Sequence, residues 1–330
     1  MKIVVSDANL VPHRALLESH VPAGAVVVWV DAADEAALLA ELREADVLVG
    51  PRFTAAMGAV ASRLRLVHVA GAGYDGVHLA ELPTGAVCAN TFHHEESIAE
   101  YVAASLVVLR RGLLRQDSAL RRGVWSSSVY DRTIAPAQTL EGAVVTFLGF
   151  GHIGTASWRL LQAFGTVGIA ITRRGDVDAQ ALNLRRSADI SGLHDALAES
   201  DVLVVSVPLR PETTGIIARR ELELLGPRGL LVNVARGPVV DEGDLHASLK
   251  DGTIGGAALD VWYRYPAADG HGEPSAEPFG LLDNVLMTPH SSGVTANTFR
   301  ARTLDIADNI VRLHEGRPLH DVVNGEVRTP

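Results

Sequence analysis

The chain has 330 residues, 47% hydrophobic and 21% charged, too long for one ordinary core and therefore read as two domains. A formal net charge of −10 argues against a nucleic-acid surface or an anionic membrane as partner. The single cysteine, Cys88, sits in the apolar run Ala86-Val87-Cys88-Ala89; it cannot close an internal disulfide and reads as a small buried hydrophobe.

The opening Met1-Lys2-Ile3-Val4-Val5 reads as a first strand, not as a signal peptide, and no apolar stretch is long enough to span a bilayer. A reducing, cytoplasmic setting is expected. Short apolar runs then recur at 26–30, 47–50, 66–70, 86–89, 144–148, 169–171, 202–207, 230–234, 257–261 and 285–287. Helical patterns lie between most of them, and that alternation predicts βαβ units and parallel sheets. The spacing predicts one long helix over 97–122, with Ser97 as cap and Glu100 three residues on as its capping box. A second is predicted over 295–313, closed by Gly316 and Pro318. These two helices are natural crossing points between domains. Arg110, Arg111, Arg115, Arg121 and Arg122 give the first helix a basic run, read as a solvated or subunit-facing surface.

The most informative segment is Val144-Val145-Thr146-Phe147-Leu148-Gly149-Phe150-Gly151-His152-Ile153-Gly154. A strand runs into Gly-x-Gly-x-x-Gly and on into a helix. Gly149 permits the tight turn, Gly151 lets the backbone approach a pyrophosphate, and Gly154 lets the helix pack close to the strand. The helix N-terminus then offers free N–H groups to the phosphates. The next strand ends in Thr172-Arg173-Arg174, where an NAD site usually carries a carboxylate for the ribose 2′-hydroxyl. Two arginines there attract a 2′-phosphate, so NADP is favoured, with NAD as the alternative. His93-His94-Glu95-Glu96 has metal-ligating residue types but no evident third ligand, so no metal is expected.

Three further segments carry a resemblance. Asn233-Val234-Ala235-Arg236-Gly237, Pro289-His290 and Val207-Pro208-Leu209 with Thr213 resemble motifs of the D-isomer-specific 2-hydroxyacid dehydrogenases, in the same order and spacing after the glycine loop. The resemblance implies an α/β fold of two Rossmann-like or flavodoxin-like βαβ domains with a cleft between them. The cofactor domain, 98–292, would be inserted within a substrate domain made of 1–97 and 293–330. It also implies a homodimer paired through the cofactor domain. His152, Ile153, Val207, Pro208, Thr213, Val234, Ala235, Asp260 and Gly293 would join the glycines and the 172–174 segment as cofactor contacts.

Reducing a 2-oxo acid requires that the carboxylate be fixed, the ketone polarised and a proton delivered. Arg236 suits the first two tasks, because a guanidinium holds carboxylate and carbonyl oxygens in one plane. His290 suits the third. Val69-Ala70-Gly71-Ala72-Gly73-Tyr74-Asp75 resembles the family loop whose backbone N–H groups cradle the substrate carboxylate, with Ala72 and Gly73 at the contacting positions. Arg52, after the third strand, and His94, near the domain hinge, are candidate pocket residues. In most of the family a glutamate stands at the position of Tyr265 and pairs with the histidine; here Tyr265 can hydrogen-bond the ring but adds no charge. Formate dehydrogenases of the same superfamily also lack that carboxylate and share Asp-Val-Trp, as in Asp260-Val261-Trp262. The asparagine that holds formate in them corresponds to His94 here. The expected activity is interconversion of a small 2-oxo acid, such as glyoxylate or hydroxypyruvate, and its D-2-hydroxy acid. A formate dehydrogenase-like enzyme and a cofactor-sensing interaction protein on the same fold are the alternatives. Trp262, Tyr263, Tyr265 and Tyr74 suggest an aromatic wall, or simply core.

Overall fold

A computed structural model describes residues 1–266 and 270–323. It divides into two compact units. One comprises Met1–His93 and the segment from Val294 onward, the other His94–Gly293. Residues 94–97 and Gly293 thus go with the second unit, which is wider at both ends than the expected 98–292.

The first unit is a parallel five-stranded sheet. Its strands are β1 (Lys2–Val5), β2 (Val26–Trp29), β3 (Val47–Val49), β4 (Leu66–His68) and β5 (Val87–Ala89), in the order β2-β1-β3-β4-β5. Strands β3 and β4 are buried at every position, as expected for a parallel sheet covered on both faces. Alternate residues supply two cores. Ile3, Val5, Val47, Val49 and Leu66 pack with Leu17 of α1 (Arg14–His20) and with Phe299, Ile306 and Ile310 of the C-terminal helix α10 (Ala296–Glu315). Val4, Leu48 and Val67 face the other way, onto Leu38 and Leu42 of α2 (Glu35–Leu42) and Met57 of α3 (Ala55–Gly58). Each fully buried side chain of this kind contributes roughly 1.5–3 kcal/mol relative to exposure. Helix α10 begins where Thr295 Oγ1 accepts from the Thr298 N–H at 3.2 Å and ends at Gly316, with φ 70°.

The second unit is a parallel seven-stranded sheet. Its strands are β6 (Val144–Leu148), β7 (Val167–Ile171), β8 (Arg186–Ala188), β9 (Val202–Val205), β10 (Leu230–Asn233), β11 (Gly256–Leu259) and β12 (Val285–Met287), in the order β12-β11-β10-β9-β6-β7-β8. From β6 the chain winds outward through β7 and β8, then returns to lay β9 to β12 on the other side. The reversal between β6 and β9 is the switch point at which such sheets bind nucleotides. One face is covered by α4 (Glu95–Arg110) and α6 (His152–Gln162), through Ile98, Val102, Leu106, Trp158 and Leu161. The other is covered by α7 (Leu193–Ala198), α8 (Arg219–Leu225) and α9 (Glu242–Lys250).

The helix expected over 97–122 is two helices, α4 and α5 (Leu113–Arg121), broken where Gly112 adopts φ 63°. It starts at Glu95, and Ser97 is not its cap: the Ser97 hydroxyl donates to the His94 carbonyl at 3.0 Å from inside the first turn. Strand β8 was missed because Arg186-Ser187-Ala188 is half-buried at the sheet edge and carries no apolar run. Of the basic run, Arg110 is largely buried and bonds Asp201 at 3.3 Å.

Candidate active site

The glycine loop follows β6 at the switch point. Gly149 has φ 95°, and a Cβ built on it would lie 2.9 Å from the Ser206 carbonyl carbon and oxygen and 3.0 Å from a Val207 methyl. A Cβ on Gly154 would lie 2.7 Å from the Gly149 carbonyl oxygen. The protein itself therefore requires these two glycines. Gly151 differs: it has φ −86° and no atom within 4 Å of its built Cβ. Neither backbone nor packing demands glycine there, and the open space fits a pyrophosphate brought against the main chain. Helix α6 starts at the next residue, His152, with Ile153 and Gly154 in its first turn and no side chain capping it. Helix N-terminal amides left without a side-chain cap are suited to an anion.

Beyond β7, the Thr172 hydroxyl accepts from the Gly175 N–H at 2.9 Å and shapes the turn. Arg174 is exposed and bonds Asp176 at 2.6 Å. Arg173 is exposed and makes no ion pair among the described residues. After β9, the Ser206 hydroxyl donates to the Gly149 carbonyl at 3.0 Å, and Thr213 closes the next loop by donating to the Pro208 carbonyl at 2.7 Å. Val207 lies partly buried on Gly149.

The loops after β10, β11 and β12 bring Arg236, Tyr265 and His290 into one cluster. Buried Asn233 sets the first loop: its side chain accepts from the Ala235 N–H and donates to the Arg236 carbonyl, both at 3.0 Å. Val234 and Ala235 are buried in that turn. Gly237 lets it approach the next loop, since a Cβ there would meet the Trp262 carbonyl oxygen at 2.4 Å. His290 sits at φ 56°, a conformation that costs a non-glycine residue about 1–2 kcal/mol. Asp260, 1% exposed, holds it there. One carboxylate oxygen accepts from the Thr288 hydroxyl at 2.6 Å and the Ser291 N–H at 2.9 Å. The other accepts from the Ser292 N–H at 2.9 Å and from the Ser292 hydroxyl. Both oxygens of Asp260, which the resemblance also implies as a cofactor contact, thus brace the His290 loop.

The Tyr265 hydroxyl lies 3.0 Å from His290 Nδ1. Burial by its neighbours pushes the His290 imidazole below the ordinary histidine range; Asp260 opposes this and the Arg236 charge adds to it. Burial also pushes the Tyr265 hydroxyl up, so it stays neutral near pH 7. Of the four aromatic residues that suggested a wall or core, two belong to the core. Trp262 and Tyr263 pack on Phe279 in the core, with ring centroids 6.1 and 6.4 Å away. The Trp262 indole N–H donates to the Thr288 carbonyl at 2.8 Å, adding a second hold on the His290 loop.

In the first unit, Gly71, Ala72 and Gly73 form an open loop after β4. The Arg52 backbone runs beside Gly76, and its guanidinium donates to the Ala32 carbonyl. His94 is the residue before α4 in the other unit, largely buried and packed against Gly293. Among the described residues no group of acidic, histidine and cysteine side chains could hold a metal ion.

The family model for the D-isomer specific 2-hydroxyacid dehydrogenase NAD binding domain matches residues 103–292. A glyoxylate reductase of Thermococcus gammatolerans is 32% identical over 88% of this chain and 86% of its own. A solved NADPH-dependent glyoxylate/hydroxypyruvate reductase of Sinorhizobium meliloti, in complex with NADP and malonate, is 26% identical. It superposes with a TM-score of 0.76 over 98% of this chain and 96% of its own. A D-isomer specific 2-hydroxyacid dehydrogenase family protein of Aeromonas salmonicida, at 24% identity, shares the fold with a TM-score of 0.83 over 98% of both chains. This chain belongs to the D-isomer-specific 2-hydroxyacid dehydrogenases, oxidoreductases that exchange a hydride between a nicotinamide cofactor and a 2-hydroxy acid.

Proposed function

We propose that this enzyme works as an NADPH-dependent reductase of small 2-oxo acids such as glyoxylate or hydroxypyruvate. The observation that carries the reading is the cluster at the carboxyl ends of β10, β11 and β12. It combines an arginine on an asparagine-clipped turn with a histidine whose Nδ1 is 3.0 Å from a tyrosine hydroxyl. The bound cofactor supplies the hydride. The Ala72 and Gly73 amides hold the substrate carboxylate. The Arg236 guanidinium aligns carboxylate and ketone oxygens and stabilises negative charge growing on the ketone oxygen. The protonated His290 ring donates Nδ1–H to the Tyr265 oxygen, which leaves Nε2–H for the ketone oxygen. Gly149, Gly151 and the α6 N-terminus take the pyrophosphate. Arg173, exposed and without an ion pair among the described residues, takes the 2′-phosphate. Arg174 shares its charge with Asp176.

A second copy of the chain is the proposed partner. Leu120, Val124, Trp125, Val129 and Tyr130 expose 51 to 71% of their surface within one short segment, a patch suited to burial in an interface. A dimer by light scattering that Trp125→Glu converts to monomer supports this.

The test of the activity is steady-state oxidation of NADPH and NADH with a panel of 2-oxo acids across pH. Turnover with NADPH that vanishes in Arg236→Ala is the expected result. A preference for NADH overturns the cofactor choice. Tight cofactor binding without any turnover overturns the reductase and leaves a cofactor-sensing protein.

A further inference from the structure

The loop that would hold the substrate carboxylate is restrained through its carbonyl groups. Arg302, on α10 and only 8% exposed, donates from Nη1 to the Ala70 carbonyl at 3.0 Å. The Thr91 N–H donates to the Gly71 carbonyl at 3.2 Å. The side-chain amide of Asn90, 6% exposed, donates to the Ala72 carbonyl at 2.8 Å. Three consecutive carbonyls are thus drawn toward the protein.

Each of these peptides is trans, and in a trans peptide the C=O and N–H point in opposite directions. Pinning the carbonyls of Ala70, Gly71 and Ala72 therefore turns the N–H groups of Gly71, Ala72 and Gly73 away from those anchors. None of the three N–H groups has a hydrogen-bond acceptor among the described residues. Successive free amides turned the same way make an anion-binding concavity.

The anchors are joined to one another. Arg302 Nε donates to the Phe92 carbonyl at 2.7 Å. Asp305, one turn further along α10 and on the same face, accepts from the Thr91 hydroxyl at 2.9 Å and bonds His93 Nε2 at 2.6 Å. Residues 90–93 and the 70–73 loop are thereby gripped by a single face of α10.

We propose that Arg302, assisted by Asn90, is a positioning residue that preorganises the Gly71–Gly73 amides for the substrate carboxylate. This rests on the carboxylate-binding reading of that loop. Preorganisation acts before the substrate arrives, so its loss appears in substrate affinity, and a displacement near 1 Å costs up to about 100-fold.

The experiment compares wild type with Arg302→Met, Arg302→Lys and Asn90→Ala, using glyoxylate as substrate and oxamate as unreactive carboxylate. Hydrogen exchange of the peptide covering 69–76 is followed, with β4 as internal control for folding. The expected result is a KM for glyoxylate raised about 10- to 100-fold in Arg302→Met, with kcat within about 3-fold and the NADPH Kd within about 2-fold. Exchange in 69–76 should accelerate while β4 stays protected. Arg302→Lys should restore part of the KM and Asn90→Ala should show a smaller rise. If β4 also opens in Arg302→Met, Asn90→Ala becomes the deciding variant. Unchanged KM in the deciding variant, in a protein whose loop oxamate protects in wild type, overturns the positioning role alone. Failure of oxamate to protect 69–76 in wild type overturns the carboxylate reading and the positioning role together.

Discussion

Tyr265→Glu places beside the histidine the carboxylate that the family resemblance implies there, and its effect on pH dependence can be worked from the geometry. The Tyr265 hydroxyl is 3.0 Å from His290 Nδ1 and contributes no charge. A carboxylate about 4 Å from the ring is worth roughly 1 kcal/mol in water and about 4 kcal/mol at an effective dielectric of 20. Residue 265 is 53% exposed, so solvent screening keeps the value between those limits, about 1.5–3 kcal/mol. At 1.36 kcal/mol per unit, the His290 pKa should rise by about 1–2 units. The sign follows from the proton's role. Reduction needs the protonated ring, and burial holds the wild-type pKa below the ordinary histidine range. The wild-type rate should therefore fall as pH rises from slightly acid values. In Tyr265→Glu the falling limb should move about 1–2 units toward alkaline pH, giving about 10- to 100-fold more of the protonated form well above the wild-type pKa. Tyr265→Phe removes the hydrogen bond without adding charge and should not move the limb upward. The assay is kcat/KM for NADPH-dependent glyoxylate reduction from pH 5 to 9. An unmoved limb in Tyr265→Glu, in a variant that still binds NADPH, would refute the account of this pair.

Gly149→Ala and Gly151→Ala should fail differently. The first forces a Cβ to 2.9 Å from the Ser206 carbonyl at φ 95° and should lower the melting temperature, by a cost of about 2 kcal/mol or more. The second meets no protein atom within 4 Å, so it should melt like wild type while NADPH titration shows lost affinity. Arg173→Ala should raise the NADPH Kd about 10-fold and leave NADH nearly unchanged, consistent with loss of one charge-assisted contact. Arg174→Ala should do less, because Arg174 is already paired with Asp176 at 2.6 Å. Fully buried His68 accepts from the Asn309 amide, and desolvation lowers its pKa to about 4. A depressed histidine pKa means the unfolded state takes up the proton first, so stability should be lost as pH falls from about 6.5 toward 4. The loss is on the order of 3 kcal/mol. Thermal melts over that range should show a shallower decline in His68→Gln.

The parts of this molecule legible in its sequence are those written by local pattern. Strand β6 and its loop stand out because five apolar-environment residues, Val144 to Leu148, are followed by three glycines at the required spacing. The break between α4 and α5 is hidden because Arg111-Gly112 interrupts a pattern that is helical on both sides, and one glycine is tolerated inside many helices. Ser97 and Glu100 match a capping box by type and spacing, yet the helix starts two residues earlier, and the serine spends its hydroxyl on the His94 carbonyl instead. Strand β8 belongs to the sheet by edge pairing with β7, and Ile169 to Arg186 is a pairing no hydrophobic period announces. The side chains proposed to react were legible as candidates because Arg236 and His290 sit in short motifs. Their supports were not, for the bonds cross long stretches of chain: 31 residues separate Asp260 from Ser291, and 232 separate Arg302 from Ala70.

That difference has a physical origin. An arginine or histidine that meets substrate must be of one residue type, because its charge and donors are the chemistry. A residue that positions another can be any buried donor or acceptor that reaches the right backbone group, so its type carries little signal until the fold is known. Asp260 shows the consequence most plainly. The resemblance implies a cofactor contact for Asp260, and nothing in the local sequence around it announces a second task. Its four accepted hydrogen bonds hold Thr288 through Ser292 around a residue at φ 56°. The energy of that buried carboxylate goes into keeping one strained backbone conformation, and the strained conformation is what aims the imidazole.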